Sequence, residues 1–363
     1  MKMHIYKKLT ILAVAVAAML GVWADDSDVD VMPQTASMYS GYLYGKDTTE
    51  GTIQIKVGKT NKAGLAAVKA IVRLGKKNIS LKAAEKGKVA VSSGGPTTVV
   101  LVGNGAEKCT VVLGKQAFSG TYGPYSIDGA RNRLVSKDKN ERKEVERFLS
   151  HWIGTINVVW GGNTVSITLA KNGRAKVKGT LADGKTKISA NSLFLAGDLW
   201  CGVIVFAPKV NVVFNLWLSY DGRTVVTWGL GDGVVCGAPA PGANLVFKLG
   251  TGFEGIAGVQ AALLPKALAV KGGAKWDAGK AATVNLNAEK TAAATKDPGN
   301  NSGLKLTYNT KDGSFKGSFN VYAVVGGKLK KFKANVTGVM VGAKGYGVAA
   351  IKSLAATAPI TIE

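Results

Sequence analysis

A chain of 363 residues with 46% hydrophobic content is long enough for two or three domains and apolar enough to fill real cores, which excludes wholesale disorder. Its 47 glycines against 9 prolines suit an all-β chain with many tight turns rather than a helical one. The formal net charge is +24, from 47 Lys and Arg against 23 Asp and Glu, and most of the cations are Lys. Readers of phosphate lean on bidentate Arg, so sequence-specific nucleic-acid recognition is not expected. A Lys-rich surface still attracts polyanions, and outward Lys on strands also blocks edge-to-edge aggregation.

Residues 1–24 read as a signal peptide: Lys2, Lys7 and Lys8 precede the apolar run Leu9–Leu20, and Val22-Trp23-Ala24 supplies a small-x-small cleavage site. The expected product is exported, to the periplasm, the cell surface or the medium. Every later apolar run is cut by Lys, Gly or Asn, so no transmembrane span is expected. Residues 25–40 form an acidic leader.

From 41 to 135 the pattern is a run of short strands separated by turn chemistry, including Ser93-Gly94-Gly95-Pro96, Tyr122-Gly123-Pro124 and Asp128-Gly129. This predicts a first β-meander domain closing into a barrel or sandwich. Residues 136–152 break the pattern. Val145, Phe148, Leu149 and Trp152 share one helical face and Asp138-x-x-Glu141 resembles a capping box, so a linking or plugging helix is predicted over about 137–152.

A second β-meander domain is predicted over 153–250, and a C-terminal meander region over 251–363 that packs either alone or with the second. In the latter, 256–264 reads as a short helix, and 267–270 and 274–276 as strands. A two-turn, three-strand unit recurs three times: Ile53–Val57, Ala67–Leu74 and Asn78–Leu81; Val165–Leu169, Arg174–Leu181 and Thr186–Ala190; Leu304–Tyr308, Ser314–Val321 and Phe332–Val336. In Arg174–Leu181, Ala175, Val177 and Leu181 alternate with Arg174, Lys176, Lys178 and Thr180, the signature of a strand that is apolar on one face and cationic on the other. The fold class is therefore all-β, mainly antiparallel, in consecutive barrel- or sandwich-like meanders with one amphipathic helix between the first two.

Chemistry is sparse. The only histidine beyond His4 is His151, near the end of the predicted helix, where a cation suits the dipole. Asp128, Asp183, Asp221, Asp232 and Asp312 each precede Gly and are explained by turns. Asp198 and Glu254 are the best remaining candidates for a hydrolase pair. No nucleotide-binding, metal-ligating or nucleophile-elbow motif occurs, so no catalytic residue, metal or cofactor is expected.

Cys201 and Cys236 are candidates for a disulfide that would leave Cys109 free; alternatively all three are buried small hydrophobes. A hairpin is predicted about a two-residue Asp221-Gly222 turn, pairing Leu218 with Val225. It would place Asn211, Asn215, Trp217, Ser219 and Trp228 on one sheet face, amides beside aromatic plates, which suits sugar binding. The competing reading is that this face is core, since Val213 and Val226 lie on it too.

Gly313-Ser-Phe-Lys-Gly-Ser-Phe319, followed by Lys331-Phe-Lys, Gly338-Val339 and Gly345-Tyr-Gly347, resembles C-terminal repeats of uncharacterised exported β-repeat proteins of Gram-negative bacteria. The resemblance implies export, β structure and an envelope or surface location, and no known reaction. Three functions follow in order: a non-enzymatic exported β-repeat protein, structural or adhesive or in contact with anionic polysaccharide or other envelope components; a glycan- or small-ligand-binding barrel; and a glycan hydrolase. The sequence sets no oligomeric state.

Overall fold

The computed structural model describes residues 31–363 except 46–47, 105–107, 197–200, 241, 250–281, 287–304 and 326–327. The expected signal peptide, the helix at 256–264, the strands at 267–270 and 274–276, and both Asp198 and Glu254 lie outside the described residues. The chain is all-β and mainly antiparallel, with barrel-like sheets and one α-helix among the described residues.

The first sheet contains β1 (Ser37–Tyr44), β2 (Thr49–Val57), β3 (Leu65–Leu74), β4 (Lys77–Ala83), β5 (Lys88–Ala90), β6 (Thr97–Val102), β7 (Cys109–Leu113), β8 (Ala117–Tyr122) and β9 (Tyr125–Arg131). β1 pairs with both β2 and β9, and β2 pairs with β3, so β1-β2-β3-β4-β6-β7-β8-β9 closes into an eight-stranded up-and-down barrel, with β5 added beside β3. Closure removes exposed strand edges. β1 begins inside the stretch read as leader, and Met32 is already in the core.

Alternation fills the barrel. Ile53, Ile55 and Val57 of β2, Val68, Ala70 and Val72 of β3, and Val99 and Leu101 of β6 point inward and are buried together. Tyr39 is fully buried; its ring meets Phe118 edge-on at 5.7 Å and its hydroxyl donates to the Gly114 carbonyl at 2.7 Å. Phe118, Gly129 and Gly41 lie opposite one another across β8, β9 and β1. A Cβ on Gly129 would sit 2.4 Å from the Phe118 ring, so glycine is required for the ring to lie on the backbone. Asp128-Gly129 is therefore not a turn, as the sequence pattern predicts, but the middle of β9. Asp128 is held there by the Gly129 N–H at 2.8 Å and by the Tyr42 hydroxyl at 3.3 Å.

The helix α1 (Lys139–Ser150) follows a short 3-10 turn, Arg133–Val135. Asp138 caps it by accepting from the Asn140 N–H at 2.7 Å, as expected. Glu141 does not complete a capping box. It pairs with the buried Arg131 at the end of β9, and Glu144 pairs with the buried Arg133.

The second sheet contains β10 (Gly154–Trp160), β11 (Asn163–Leu169), β12 (Arg174–Thr180), β13 (Lys187–Ala196), β14 (Cys201–Ala207), β15 (Val212–Leu218), β16 (Val225–Trp228) and β17 (Val235–Gly237). Its order runs from β16 down to β10 and then β17. The Cys236 thiol of β17 donates to the Val225 carbonyl of β16 at 3.4 Å, so the two edge strands meet at a seam and the sheet is nearly closed. In β12, Ala175 and Val177 are buried while Arg174, Lys176 and Lys178 are exposed, the predicted two-faced strand.

The third sheet contains β18 (Gly242–Leu249), β19 (Ala282–Leu286), β20 (Lys305–Asn309), β21 (Ser314–Val325), β22 (Lys328–Val341), β23 (Lys344–Ile351) and β24 (Ala356–Ile362), in the order β19-β18-β24-β23-β22-β21-β20. Phe315, Gly338 and Gly347 face one another across β21, β22 and β23, repeating the aromatic-on-glycine row of the first barrel. The recurring three-strand unit is real in each sheet: β2-β3-β4, β11-β12-β13 and β20-β21-β22. Its turn glycines, Gly75, Gly173, Gly184 and Gly313, all have positive φ.

The chain divides into two compact units. One holds the first barrel, most of α1 and two short pieces of the second-sheet segment; the other holds the rest of the second sheet and the third sheet.

Candidate functional site

The described residues of the hairpin face proposed from sequence differ in exposure. β15 and β16 are neighbours, but the connection runs over 219–224 and is wider than the expected two residues. Asn215 is buried at 2% exposure, and Trp217 is half-buried. Asn211 sits in an exposed turn before β15 with φ 52°, and Ser219 lies beyond the strand's end. The side chain of Trp228 lies outside the described residues. Asn215 is thus covered, whereas Val226, placed on the same predicted face, is 52% exposed.

Cys201 and Cys236 are not joined. The Cys201 thiol donates to the Leu218 carbonyl at 3.0 Å instead, and burial pushes the thiols of Cys109 and Cys201 up to about 12, far from thiolate chemistry. No cluster of His, Cys, Asp and Glu among the described residues is suited to hold a metal, and no described helix is long and apolar enough to cross a membrane.

The site with usable chemistry is a cleft of about 350 Å³ within the second unit, between the second and third sheets. Strand registers explain its lining. On β11 and β12, Thr164 faces Thr180 and Ser166 faces Lys178, all on the side opposite the buried Val165, Ile167 and Val177. On the third sheet, Thr307, Lys316 and Thr337 form one cross-strand row and Asn309, Ser314 and Val339 the next. The polar faces of two sheets therefore line one space, which Phe315 and Gly338 also border.

The cleft is held at one end by β10. Thr155, Asn157 and Val159 alternate onto the side that meets the third sheet. Thr155 donates to the Lys311 carbonyl at 3.0 Å. The fully buried Asn157 donates to the carbonyls of Asp312 at 3.0 Å and Met340 at 2.7 Å. Val159 packs with Val339 and Val341. Gly313 passes so close to Pro239 that a Cβ there would lie 2.2 Å from the proline.

The lining side chains are mainly hydroxyls, with one amide, one carboxylate, two ammonium groups and the apolar Val339. Hydroxyls and amides donate and accept, and ammonium groups only donate. Such a set suits a polyhydroxyl ligand bearing negative charge. The one carboxylate, Asp312, is engaged by its own turn, accepting from the Ser314 N–H at 3.0 Å and hydroxyl at 2.6 Å. Burial and then the Asp312 charge raise the pKa of Tyr308, on the core side of β20. The strand alternation of 174–181 placed Lys178 on an outward face. The signal available was the alternation of hydroxyls and lysines, and the apposition of the two faces was absent from it.

No protein-family model matches the chain, and no curated protein matches it. Among solved structures it is similar to the DNA polymerase III subunit beta from Pseudomonas aeruginosa, with 9% identity over 95% of this chain and 96% of that chain and a TM-score of 0.12. A DNA polymerase III subunit beta sliding clamp from Bartonella birtlesii LL-WM9 gives 9% identity over 95% of each chain at a TM-score of 0.10. A ligand-bound sliding clamp from Pseudomonas aeruginosa gives 10% identity over 92% of this chain and 93% of that chain at a TM-score of 0.12. Scores this low establish no shared architecture.

Proposed function

We propose that this is an exported, non-enzymatic β-barrel protein of the cell envelope or surface that binds a negatively charged glycan in the cleft between the second and third sheets. The observation that carries the reading is the pair Lys178 and Lys316, contributed by different sheets to a cleft whose other polar lining is Thr, Ser, Asn and the single carboxylate Asp312. Charge-assisted hydrogen bonds from two fixed walls give both affinity and orientation. Export rests on the charged, apolar and small-residue pattern of residues 1–24 and on the C-terminal resemblance.

The non-enzymatic part rests on the cleft's chemistry. Glycoside hydrolysis uses two carboxyl groups across the scissile bond, whereas the single carboxylate here is consumed by a turn. The two lysines are exposed, and their role is to hold charge in place.

The test is calorimetric titration of the exported chain with a short uronic-acid oligosaccharide. Wild type binds, and each of K178Q and K316Q weakens binding by about tenfold, the scale of one hydrogen bond to a charged group. Absence of binding by the wild type, or affinity unchanged in the double variant, overturns the reading.

A further inference from the structure

The first barrel carries a charged feature that the cleft does not use. Lys56 of β2 lies directly opposite Lys69 of β3, and Lys69 lies directly opposite Lys82 of β4. Three ammonium-bearing side chains thus form one row around the outside of the barrel, at about 4.8 Å per strand. All three are exposed, while their neighbours Ile55, Val57, Val68, Ala70, Leu81 and Ala83 point into the core. None of the three makes an ion pair among the described residues.

Like charges directly opposite on paired strands repel. Solubility alone is served as well by alternating signs, yet β3 and β4 contain no acid, and Glu50 of β2 is engaged by Thr48. We infer that Lys56, Lys69 and Lys82 form a second anion-binding surface, on which a flexible, linear anionic polysaccharide wraps around the barrel. The inference shares with the proposed function only the class of partner; the surface belongs to the other unit and stands without the cleft.

Two observations select this partner. The first is curvature. Eight strands share the full circle, so three neighbouring strands fan their lysines over roughly 90°. A flat bilayer or a stiff duplex touches such a row mainly at its crest, whereas a flexible chain reaches all three. The second is the next rows on the same face. Gln54, Ile71 and Ser80 lie opposite one another, followed by Arg73 opposite Asn78. Ile71 is 38% exposed and flanked by hydrogen-bonding groups, a small apolar plate of the size a sugar ring covers rather than a membrane-inserting patch.

The experiment compares the full exported chain with K56Q/K69Q/K82Q and with a control of equal charge change, K171Q/K209Q/K352Q, on long-chain heparin across a salt series. The row variant loses about tenfold or more in affinity at low salt and its log–log salt slope falls by about two to three, one per lost contact. The control keeps the slope, and all variants keep the wild-type melting temperature within a few degrees. Equal losses in row variant and control, or no loss in the row variant, overturn the inference. So does binding of phosphatidylglycerol vesicles or duplex DNA that depends on the row as strongly as heparin does. Failure of the short oligosaccharide to bind sinks the cleft reading and leaves the row result unaffected.

Discussion

The first barrel and the second unit solve the same packing problem with opposite consequences for function. In the barrel, sheet closure turns every inward side chain toward one axis, and Tyr39, Phe118 and the branched residues of β2, β3 and β6 fill it. An interior filled by side chains leaves a small barrel only its outside to offer a partner. In the second unit, the second and third sheets each bury an apolar face and turn a polar one toward the other, and space remains between them. A closed sheet offers only its convex outside, whereas two apposed sheets leave a concave cleft.

The largest effect that would break this contrast is in the barrel. Phe118→Ala removes a ring resting on Gly41 and Gly129 and should cost about 3–5 kcal/mol. Chemical denaturation read through hydrogen exchange should show the loss in β1, β8 and β9, with binding in the cleft retained by the fraction still folded. Equal loss of protection in β20–β22 would mean that the two units do not respond separately.

Next is Asn157→Ala, which leaves the carbonyls of Asp312 and Met340 without their side-chain donor at the cleft end. About 1–3 kcal/mol is expected, and glycan affinity should fall although Asn157 does not line the cleft. Unchanged affinity would show that β10 does not set the distance between the two walls.

The smallest is a pH effect confined to the barrel. Burial raises the Asp128 carboxyl above its ordinary 3.8, partly offset by the Gly129 N–H and the Tyr42 hydroxyl. The folded state therefore favours the protonated form. The associated stability is present below the ordinary carboxylate range and is lost as pH rises through the elevated folded value. Asp128→Asn should gain on the wild type as pH climbs from acid to neutral, with the difference flat above that. Urea melts across this range decide it, and a variant that loses stability relative to the wild type as pH rises would contradict the raised value.

Much of the fold was legible because it is local. Alternation in Arg174–Thr180 and turn glycines such as Gly173 and Gly313 need only neighbouring residues to act. The helix was legible for the same reason, including its Asp138 cap, but the partner of Glu141 was not, since Arg131 lies on a strand that only the folded barrel brings to it. Asp128-Gly129 misled because Asp-Gly is turn chemistry in isolation, while the need for glycine there comes from a ring on β8. The β15 face depends on the same kind of contact: periodicity placed Asn215 and Trp217 on one side of a strand, and whether that side meets water is decided by what packs over it.

By itself, the sequence determined an antiparallel β protein punctuated by glycine, with lysines on outward strand positions and one capped helix, because strand period, turn conformation and helix capping are set within a few residues. Only the tertiary structure decided that β1 meets both β2 and β9 to close a barrel, that Lys56, Lys69 and Lys82 fall in one row, and that Lys178 and Lys316 line one cleft. Those are questions of register and apposition between distant segments, fixed by the burial of whole sheet faces rather than by any short stretch of chain.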